Sequence, residues 1–166
     1  MTQLRSPQFG AILFRASELI GTQGAEVFDR LGINLDARKV SIVLALHAHG
    51  PLSSSELSDK IGHSRQVIES RLKPSVADGF FVSYPDPDDQ RRRVYDFSAQ
   101  ARPVVQRIIS VMLDFEQVYD RLWSELGVNL EAALLAMERA LDSRDLTDRL
   151  SDEFPIYLEQ IEEAAS

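Results

Sequence analysis

The sequence contains no cysteine and no long run of apolar residues. The absence of cysteine excludes disulfides, thiolate nucleophiles, cysteine-based zinc sites and thiol redox sensing. No apolar run approaches the roughly 20 residues of a membrane span, and the first residues lack the apolar stretch of a signal peptide. We therefore expect a cytoplasmic protein with no membrane partner.

An overall excess of positive charge is also missing, since the 166 residues carry a formal net charge of −8. The charge is unevenly distributed: residues 60–107 hold nine Lys or Arg against six Asp or Glu, whereas residues 108–166 hold four against fourteen. The 44% apolar and 27% charged content is that of a folded globular protein. We expect one domain over residues 1–166, with a locally positive middle and an acidic C-terminal part.

Apolar residues recur at steps of three and four near both ends of the chain, which is typical of amphipathic helices. This spacing predicts helices over 7–31 and 99–166, broken at Gly127. The glycines at 21 and 24 leave a kink in the first helix open. A helix capped by Asp36 is predicted to end at His49, before Gly50 and Pro51. The last predicted segment contains Phe154, Tyr157, Leu158 and Ile161.

The middle of the chain predicts a helix-turn-helix. Ser53 and Glu56 have the spacing of a capping box, in which a serine oxygen accepts from a backbone N–H and the glutamate reaches back. This first helix should end at Gly62, and a second should follow that carries Ile68, Leu72 and Val76 at steps of four. Pro74 lies inside the second helix, so that helix should either kink there or end early.

Two short segments rich in aromatic and β-branched residues follow, at 80–84 and 94–97, and they predict strands. Between them lies Pro85-Asp86-Pro87-Asp88-Asp89-Gln90-Arg91-Arg92-Arg93, a turn-forming segment that ends in three cations. The expected fold is mainly α with a small β-hairpin wing (α+β), a winged helix-turn-helix with a helical region at each end.

The segment Leu52-Ser53-Ser54-Ser55-Glu56-Leu57 opens the motif, Gly79-Phe80-Phe81-Val82 closes it, and Pro85 to Arg91 lie in the wing. In these segments and in the order of its elements, the sequence resembles the MarR family of transcriptional regulators. The similar region runs roughly from Asp36 to Val105. The resemblance implies a winged helix-turn-helix at 36–98 that binds double-stranded DNA, and a homodimer formed by the helical regions 7–31 and 99–166. It also implies a repressor released by a small lipophilic or aromatic ligand. The sequence departs from the family at Glu69 and Ser70, where Thr-Arg is common, and at Ser75, where leucine is usual.

Candidate DNA contacts lie at the start of the recognition helix and in the wing. Small polar and amide side chains at a helix start allow close approach to phosphates and base edges, so Arg65 could pair with guanine and Gln66 with adenine. The resemblance places Arg91 in the minor groove, with Asp89 orienting its guanidinium through a bidentate pair. Arg92 and Arg93 could either contact DNA or only solubilise the wing tip. The candidate DNA-binding residues are Ser64, Arg65, Gln66, Ser70, Lys73, Arg91, Arg92 and Arg93.

Other functions receive less support from the sequence. His47 and His49 are two residues apart on a helix and face different ways, so we expect no metal site and no cofactor. The carboxylates are not accompanied by a nucleophile and base or by a phosphate-binding glycine loop, so we expect no enzyme. The stripe of Phe115, Tyr119 and Trp123 could line a ligand pocket or form core or dimer interface. The alternative function is a protein-interaction module that keeps the fold but binds DNA little.

Overall fold

The computed structural model describes residues 8–157, which form seven α-helices and a three-stranded antiparallel sheet. The helices are α1 (Phe9–Arg30), α2 (Val40–His49), α3 (Ser54–Ile61), α4 (Arg65–Ala77), α5 (Arg102–Leu126), α6 (Leu130–Ser143) and α7 (Leu146–Glu153). The strands are β1 (Leu52–Ser53), β2 (Phe81–Pro85) and β3 (Arg93–Phe97). The predicted fold class, mainly helical with a small hairpin, is confirmed. The chain divides into two compact units, whose boundary lies between Met112 and Leu113 within α5.

The first unit has a continuous hydrophobic core between its helices and its sheet. The end of α1, helices α2 to α4, the sheet and the start of α5 all contribute side chains to it. Its most deeply buried residues are at most 2% exposed, and they include Ile42, Leu57, Leu72, Phe81 and Ile108. The spacing of Ile68 and Leu72 in the sequence therefore identified the inward face of α4, whereas α1 leaves most of its large apolar side chains exposed.

The helix-turn-helix is formed by α3 and α4, and the predicted start and end of α3 are confirmed. Ser53 Oγ accepts from the Glu56 N–H at 3.3 Å, and Glu56 Oε2 accepts from the Ser53 N–H at 2.8 Å, which completes the capping box. Gly62 ends α3 with a left-handed φ of 75°, a conformation that favours glycine. Ser64 then caps α4. These four residues thus fix both ends of α3 and the start of α4.

Helix α4 continues through Pro74 to Ala77, so the prediction that it could end early at the proline is wrong. Proline removes the N–H that would donate to the Ser70 carbonyl. The next residue, Ser75, is fully buried, and its hydroxyl donates to the Arg71 carbonyl at 2.7 Å. This internal hydrogen bond satisfies a serine at a core position where leucine was expected.

The sheet has the order β1-β3-β2, with Phe81 opposite Phe97 and Pro85 opposite Arg93 in the hairpin. Strand β1 was not predicted, because two residues are too few for a periodic pattern. Gly79 precedes β2 with φ of 73°, and a Cβ there would lie 2.5 Å from Gln100 Nε2. Gln100 donates to the Gly79 carbonyl at 2.8 Å, and because this exposed side chain can move aside, it is the left-handed φ that favours glycine here.

Several predicted helix boundaries are corrected by the structure. Helix α1 runs unbroken through Gly21 and Gly24, so the two glycines do not interrupt it. Asp36 caps a 3₁₀ turn at Ala37–Lys39 that precedes α2. Ser98 caps the turn before α5, accepting from the Ala101 N–H at 3.1 Å, and the helix itself begins at Arg102. Among the described helices, none is both long and apolar enough to cross a membrane.

The second unit contains the end of α5 together with α6 and α7. Gly127 ends α5 with φ of 68°, as expected, and α6 occupies the predicted position. Helix α7 lies upstream of the predicted final segment. Asp145 caps the start of α7, and the helix ends before Phe154. Pro7, Leu158 and Ile161, which were included in the predicted end helices, lie outside the described residues.

Candidate nucleic-acid interface

The first unit contains a groove of about 950 Å³ between α3, α4 and the wing, which is the hairpin of β2 and β3. Most of the predicted site residues line this groove, and their side chains carry both signs of charge. The predicted residues that line it are Arg65, Lys73, Asp89, Arg91, Arg92 and Arg93. Ser64, Gln66 and Ser70 lie on exposed parts of the same helix region. The fold therefore brings together two segments that are about 20 residues apart in sequence.

The exposed start of α4 presents polar side chains. Ser64 Oγ accepts from the Val67 N–H at 3.4 Å, so this hydroxyl serves as the helix cap. The Ser70 hydroxyl donates to the Val67 carbonyl at 2.7 Å. Gln66 and Lys73 are exposed. The start of a helix also carries partial positive charge and unpaired N–H groups, which favour an approaching anion.

Arg65 is held by Glu69, one turn further along α4. Arg65 Nε donates to Glu69 Oε1 at 2.8 Å, and the hydroxyl of Ser54 on α3 donates to the same oxygen at 3.0 Å. The hydrogen bond from Arg65, followed by that from Ser54, lowers the pKa of Glu69 below its ordinary value. Sequence reasoning treated Glu69 only as a departure from the family pattern. The i, i+4 spacing from Arg65 was the signal that could have paired them.

Backbone turns organise the wing tip, and they overturn the role predicted for Asp89. Its Oδ1 accepts from the Arg91 N–H at 3.0 Å, rather than from the Arg91 guanidinium. An aspartate commonly accepts from the backbone two residues on, and this local bond engages Oδ1 of the carboxylate. Asp86 does the same for the Asp88 N–H at 2.9 Å. Across the described residues, the guanidinium of Arg91 forms no ion pair, and the side chain is exposed.

Arg92 joins the wing to α3, which its sequence position did not indicate. Its Nη2 forms an ion pair with Glu56 Oε2, and its Nε lies 3.3 Å from Asp86 Oδ2 without hydrogen-bond alignment. The hydrogen bond from Arg92, and next that from the Ser53 N–H, lower the pKa of Glu56 to about 2. Glu56 therefore serves the capping box and the wing at once.

Arg93 ties the two wing strands together. Its Nε donates to Ser83 Oγ at 2.9 Å, and its Nη2 donates to the Ser83 carbonyl at 2.7 Å. These two bonds link β3 to β2 near the base of the wing tip. Of the three consecutive arginines, Arg92 and Arg93 have intramolecular partners and Arg91 projects from the tip.

Replacing Glu56 with glutamine should destabilise the protein by about 1 kcal/mol near neutral pH, since it removes the charge from the cap and the ion pair. The folded-state pKa is below the ordinary value of 4.5, so this contribution is present above pH 4.5 and disappears as the pH falls towards 2. Urea unfolding followed by circular dichroism at pH 6 and pH 3 measures it. The control is Asp59→Asn, on an exposed residue of the same helix.

The stability difference between the wild type and Glu56→Gln should shrink at pH 3, whereas the control should match the wild type at both values. An equal difference at both pH values would show that the carboxylate charge does not produce the effect.

Two other features lie outside the groove. A second groove, of about 1170 Å³, lies between α1 and α2, with Ile20, Leu44 and Arg71 among its lining residues. On α5, the rings of Phe115, Tyr119 and Trp123 stack in sequence with centroid distances of 6.0 and 5.7 Å. No group of three or more His, Asp or Glu within residues 8–157 is placed to hold a metal ion.

Comparison with known proteins identifies the fold. The sequence matches no family model and no curated protein. The structure is similar to the transcriptional repressor CouR bound to a 23-mer DNA duplex, with a TM-score of 0.61 and 21% identity over 85% of this chain and 99% of that one. It is also similar to S. aureus MepR in a DNA-binding conformation, with a TM-score of 0.61 and 15% identity over 80% of this chain and 98% of that one.

A third similar structure is that of NadR in complex with 4-hydroxyphenylacetate. Its TM-score is 0.58, and its identity is 20% over 88% of this chain and 98% of that one. In all three comparisons almost the whole of the solved chain is covered, so the similarity extends beyond the helix-turn-helix. At these identities the similarity establishes the fold, which is that of winged helix-turn-helix transcriptional regulators.

Proposed function

We propose that the protein is a sequence-specific regulator of transcription that binds double-stranded DNA and has no enzymatic activity. The observation that carries this proposal is the groove in which the exposed start of α4 and the free cation of Arg91 flank the same opening. A helix start can enter the major groove of a duplex, and an arginine on a neighbouring wing can enter the adjacent minor groove. The fold shared with a repressor bound to a DNA duplex supports the proposal.

The proposed contacts divide into those that read bases and those that position the protein. Helix α4 enters the major groove, where Arg65 binds a guanine and Gln66 an adenine. Lys73, two turns along α4, binds phosphate. Arg91 enters the narrower minor groove, where the negative potential is strongest over A·T-rich sequence. The Ser70 hydroxyl donates its proton within the helix, so while that bond persists it can accept from a base N–H but cannot donate to a phosphate oxygen.

A homodimer formed by the regions 7–31 and 99–166 is part of the proposal. Helix α1 exposes a series of large apolar side chains that its own unit leaves uncovered, and such a surface is typical of a contact with a second chain. The exposed apolar residues of α1 are Phe9, Ile12, Phe14, Leu19 and Ile20, each between 46% and 62% exposed. A two-fold dimer would place two α4 helices on successive half-sites of an operator.

Regulation by a small lipophilic or aromatic ligand, with release of repression, completes the proposal. The groove between α1 and α2 joins a proposed dimerisation helix to the DNA-binding region, and apolar side chains form part of its walls. The complex of NadR with 4-hydroxyphenylacetate supports this reading by analogy of fold. The second candidate, a protein-interaction module with little DNA binding, is favoured by one observation: Glu69 puts a carboxylate on the surface of α4 that would face DNA.

Fluorescence anisotropy should separate the two candidates. We expect the protein to bind duplex DNA from the region upstream of its own gene at least about 10³-fold more tightly than scrambled DNA of equal length. Affinity for both should fall as salt rises, because each neutralised phosphate releases counterions. Equal, weak binding to both duplexes, together with recovery of a specific protein partner, would favour the interaction module.

A further inference from the structure

The start of α4 carries a hydrogen-bonded triad of Ser54, Arg65 and Glu69 that helix stability does not explain. Arg65 is the first residue of α4, where a cation is opposed by the helix dipole. The pair also has the less favourable order, with the cation N-terminal to the carboxylate. Both side chains are exposed, at 68% and 47%, and exposed pairs of this kind contribute little to stability. Stabilisation of α4 therefore does not account for the triad.

The triad restricts the orientation of the Arg65 side chain from two helices. Ser54 is only 6% exposed and belongs to α3, and its hydroxyl fixes the same carboxylate oxygen that accepts from Arg65 Nε. Because Nε is occupied, the two terminal nitrogens of Arg65 remain as donors. These are a pair of parallel N–H groups that can meet O6 and N7 of guanine. The Arg65 side chain therefore loses its rotational freedom when the protein folds, before DNA binds. The entropic cost of binding is then smaller, which favours recognition.

The Glu69 carboxylate should repel the phosphate backbone of bound DNA. It is held in its charged form, and it lies on the groove that also contains Lys73 and Arg91. A negative charge at this place weakens every DNA complex in which Arg65 does not gain a base contact. Its presence therefore increases the penalty for sequences that offer no guanine to Arg65.

We propose that Glu69 is a positioning residue for DNA recognition, which presents Arg65 to one guanine of the operator half-site and suppresses binding to DNA that lacks this guanine. The inference rests on the proposed function and adds the base that the site requires. Glu69 acts through Arg65 and does not need a base contact of its own.

The test is selection of binding sites from a pool of random duplexes by the full-length wild type, Glu69→Ala, Glu69→Gln and Arg65→Ala. The matched control is Glu116→Gln, which removes a charge from an exposed residue of α5. We expect the wild type to select a motif with a guanine that Arg65→Ala no longer requires. Glu69→Ala should reduce the preference for that same guanine over adenine by about tenfold while binding scrambled DNA about threefold more tightly.

Glu69→Gln keeps an oxygen that accepts from Arg65 but lacks the charge, so it should retain more of the guanine preference than Glu69→Ala. In the double variant Arg65→Ala, Glu69→Ala, the guanine preference should fall no further than in Arg65→Ala alone, because one residue acts through the other. Thermal unfolding by circular dichroism confirms that each variant is folded. If Glu69→Ala proves unfolded, Glu69→Gln and the wild type still test the loss of preference.

The outcomes distinguish failure of the proposed function from failure of the positioning role of Glu69. If the wild type selects no motif, the proposed function fails and this inference fails with it. If the wild type selects a motif whose guanine preference is unchanged in both Glu69 variants, the proposed function stands and the positioning role is wrong. Additive losses from Arg65 and Glu69 would also overturn it, since they would show that Glu69 acts independently of Arg65.

Discussion

Replacing Arg91 with alanine is expected to lower the affinity for operator DNA by about 10- to 100-fold, the range for loss of a specific arginine contact. Among the described residues, the Arg91 guanidinium has neither an ion pair nor a hydrogen bond, whereas those of Arg92 and Arg93 have partners. The Arg91 backbone is already fixed by Asp89 and the turn, so the exposed side chain is the part that remains for DNA. The measurement is the anisotropy titration, carried out at several salt concentrations.

The salt series shows what kind of contact is lost. Log affinity falls linearly with log salt concentration, and removing one cation from the interface should make this fall less steep. The slope should decrease in magnitude by about one for each Arg91 side chain that contacts the DNA. The control is Arg121→Ala, on an exposed residue of α5, which should leave both affinity and slope unchanged. Folding is not expected to change, because Arg91 contributes nothing to the core.

A comparison with Arg92→Ala separates loss of a DNA contact from loss of the structure that holds the wing in place. Arg92 is committed to Glu56 and Asp86, so its loss should lower the stability of the protein as well as its DNA affinity. Loss of Arg91 should lower affinity alone. If Arg91→Ala binds operator DNA as the wild type does, the wing tip does not enter the minor groove, and the recognition helix alone must account for binding.

The helix-turn-helix could be predicted from the sequence because its signals are local. A capping box closes within four residues, and Gly62 needs only its own left-handed backbone to end α3. The core faces followed from periodicity. Strand β1 could not be found in this way, since its two residues are defined by their pairing with β3, some forty residues later in the chain.

The side-chain partners in the site depend on contacts between elements, and sequence spacing did not reveal most of them. Arg91, Arg92 and Arg93 are adjacent and chemically identical, yet Arg92 reaches α3, Arg93 reaches β2 and the guanidinium of Arg91 reaches neither. Asp89 was assigned to the wrong part of Arg91, because a backbone N–H two residues away is a closer partner than a mobile guanidinium. The alternation of side chains along a strand also cannot indicate which neighbour each one meets.

The largest effect on stability is expected at Phe81, the first residue of β2. Its side chain is 1% exposed, and its ring packs edge-on against Phe80 at 5.0 Å and beside Phe97 at 6.0 Å. Phe81→Ala should lower the free energy of unfolding by about 3–5 kcal/mol, since the lost burial is joined by the cost of the cavity. The neighbouring Val82 is 39% exposed, so Val82→Ala is the matched control, with an expected change within about 0.5 kcal/mol.

Urea unfolding with two probes measures this effect and shows where it acts. Far-ultraviolet circular dichroism reports helices throughout the chain, whereas Trp123, the single tryptophan, reports the unit that begins at Leu113. Phe81→Ala should move the circular dichroism transition to lower urea. If the tryptophan signal moves with it, the two units unfold together; if it stays, the loss is confined to the first unit. A change below about 1 kcal/mol in both signals would contradict a core role for Phe81, since burial alone of a phenylalanine exceeds that value.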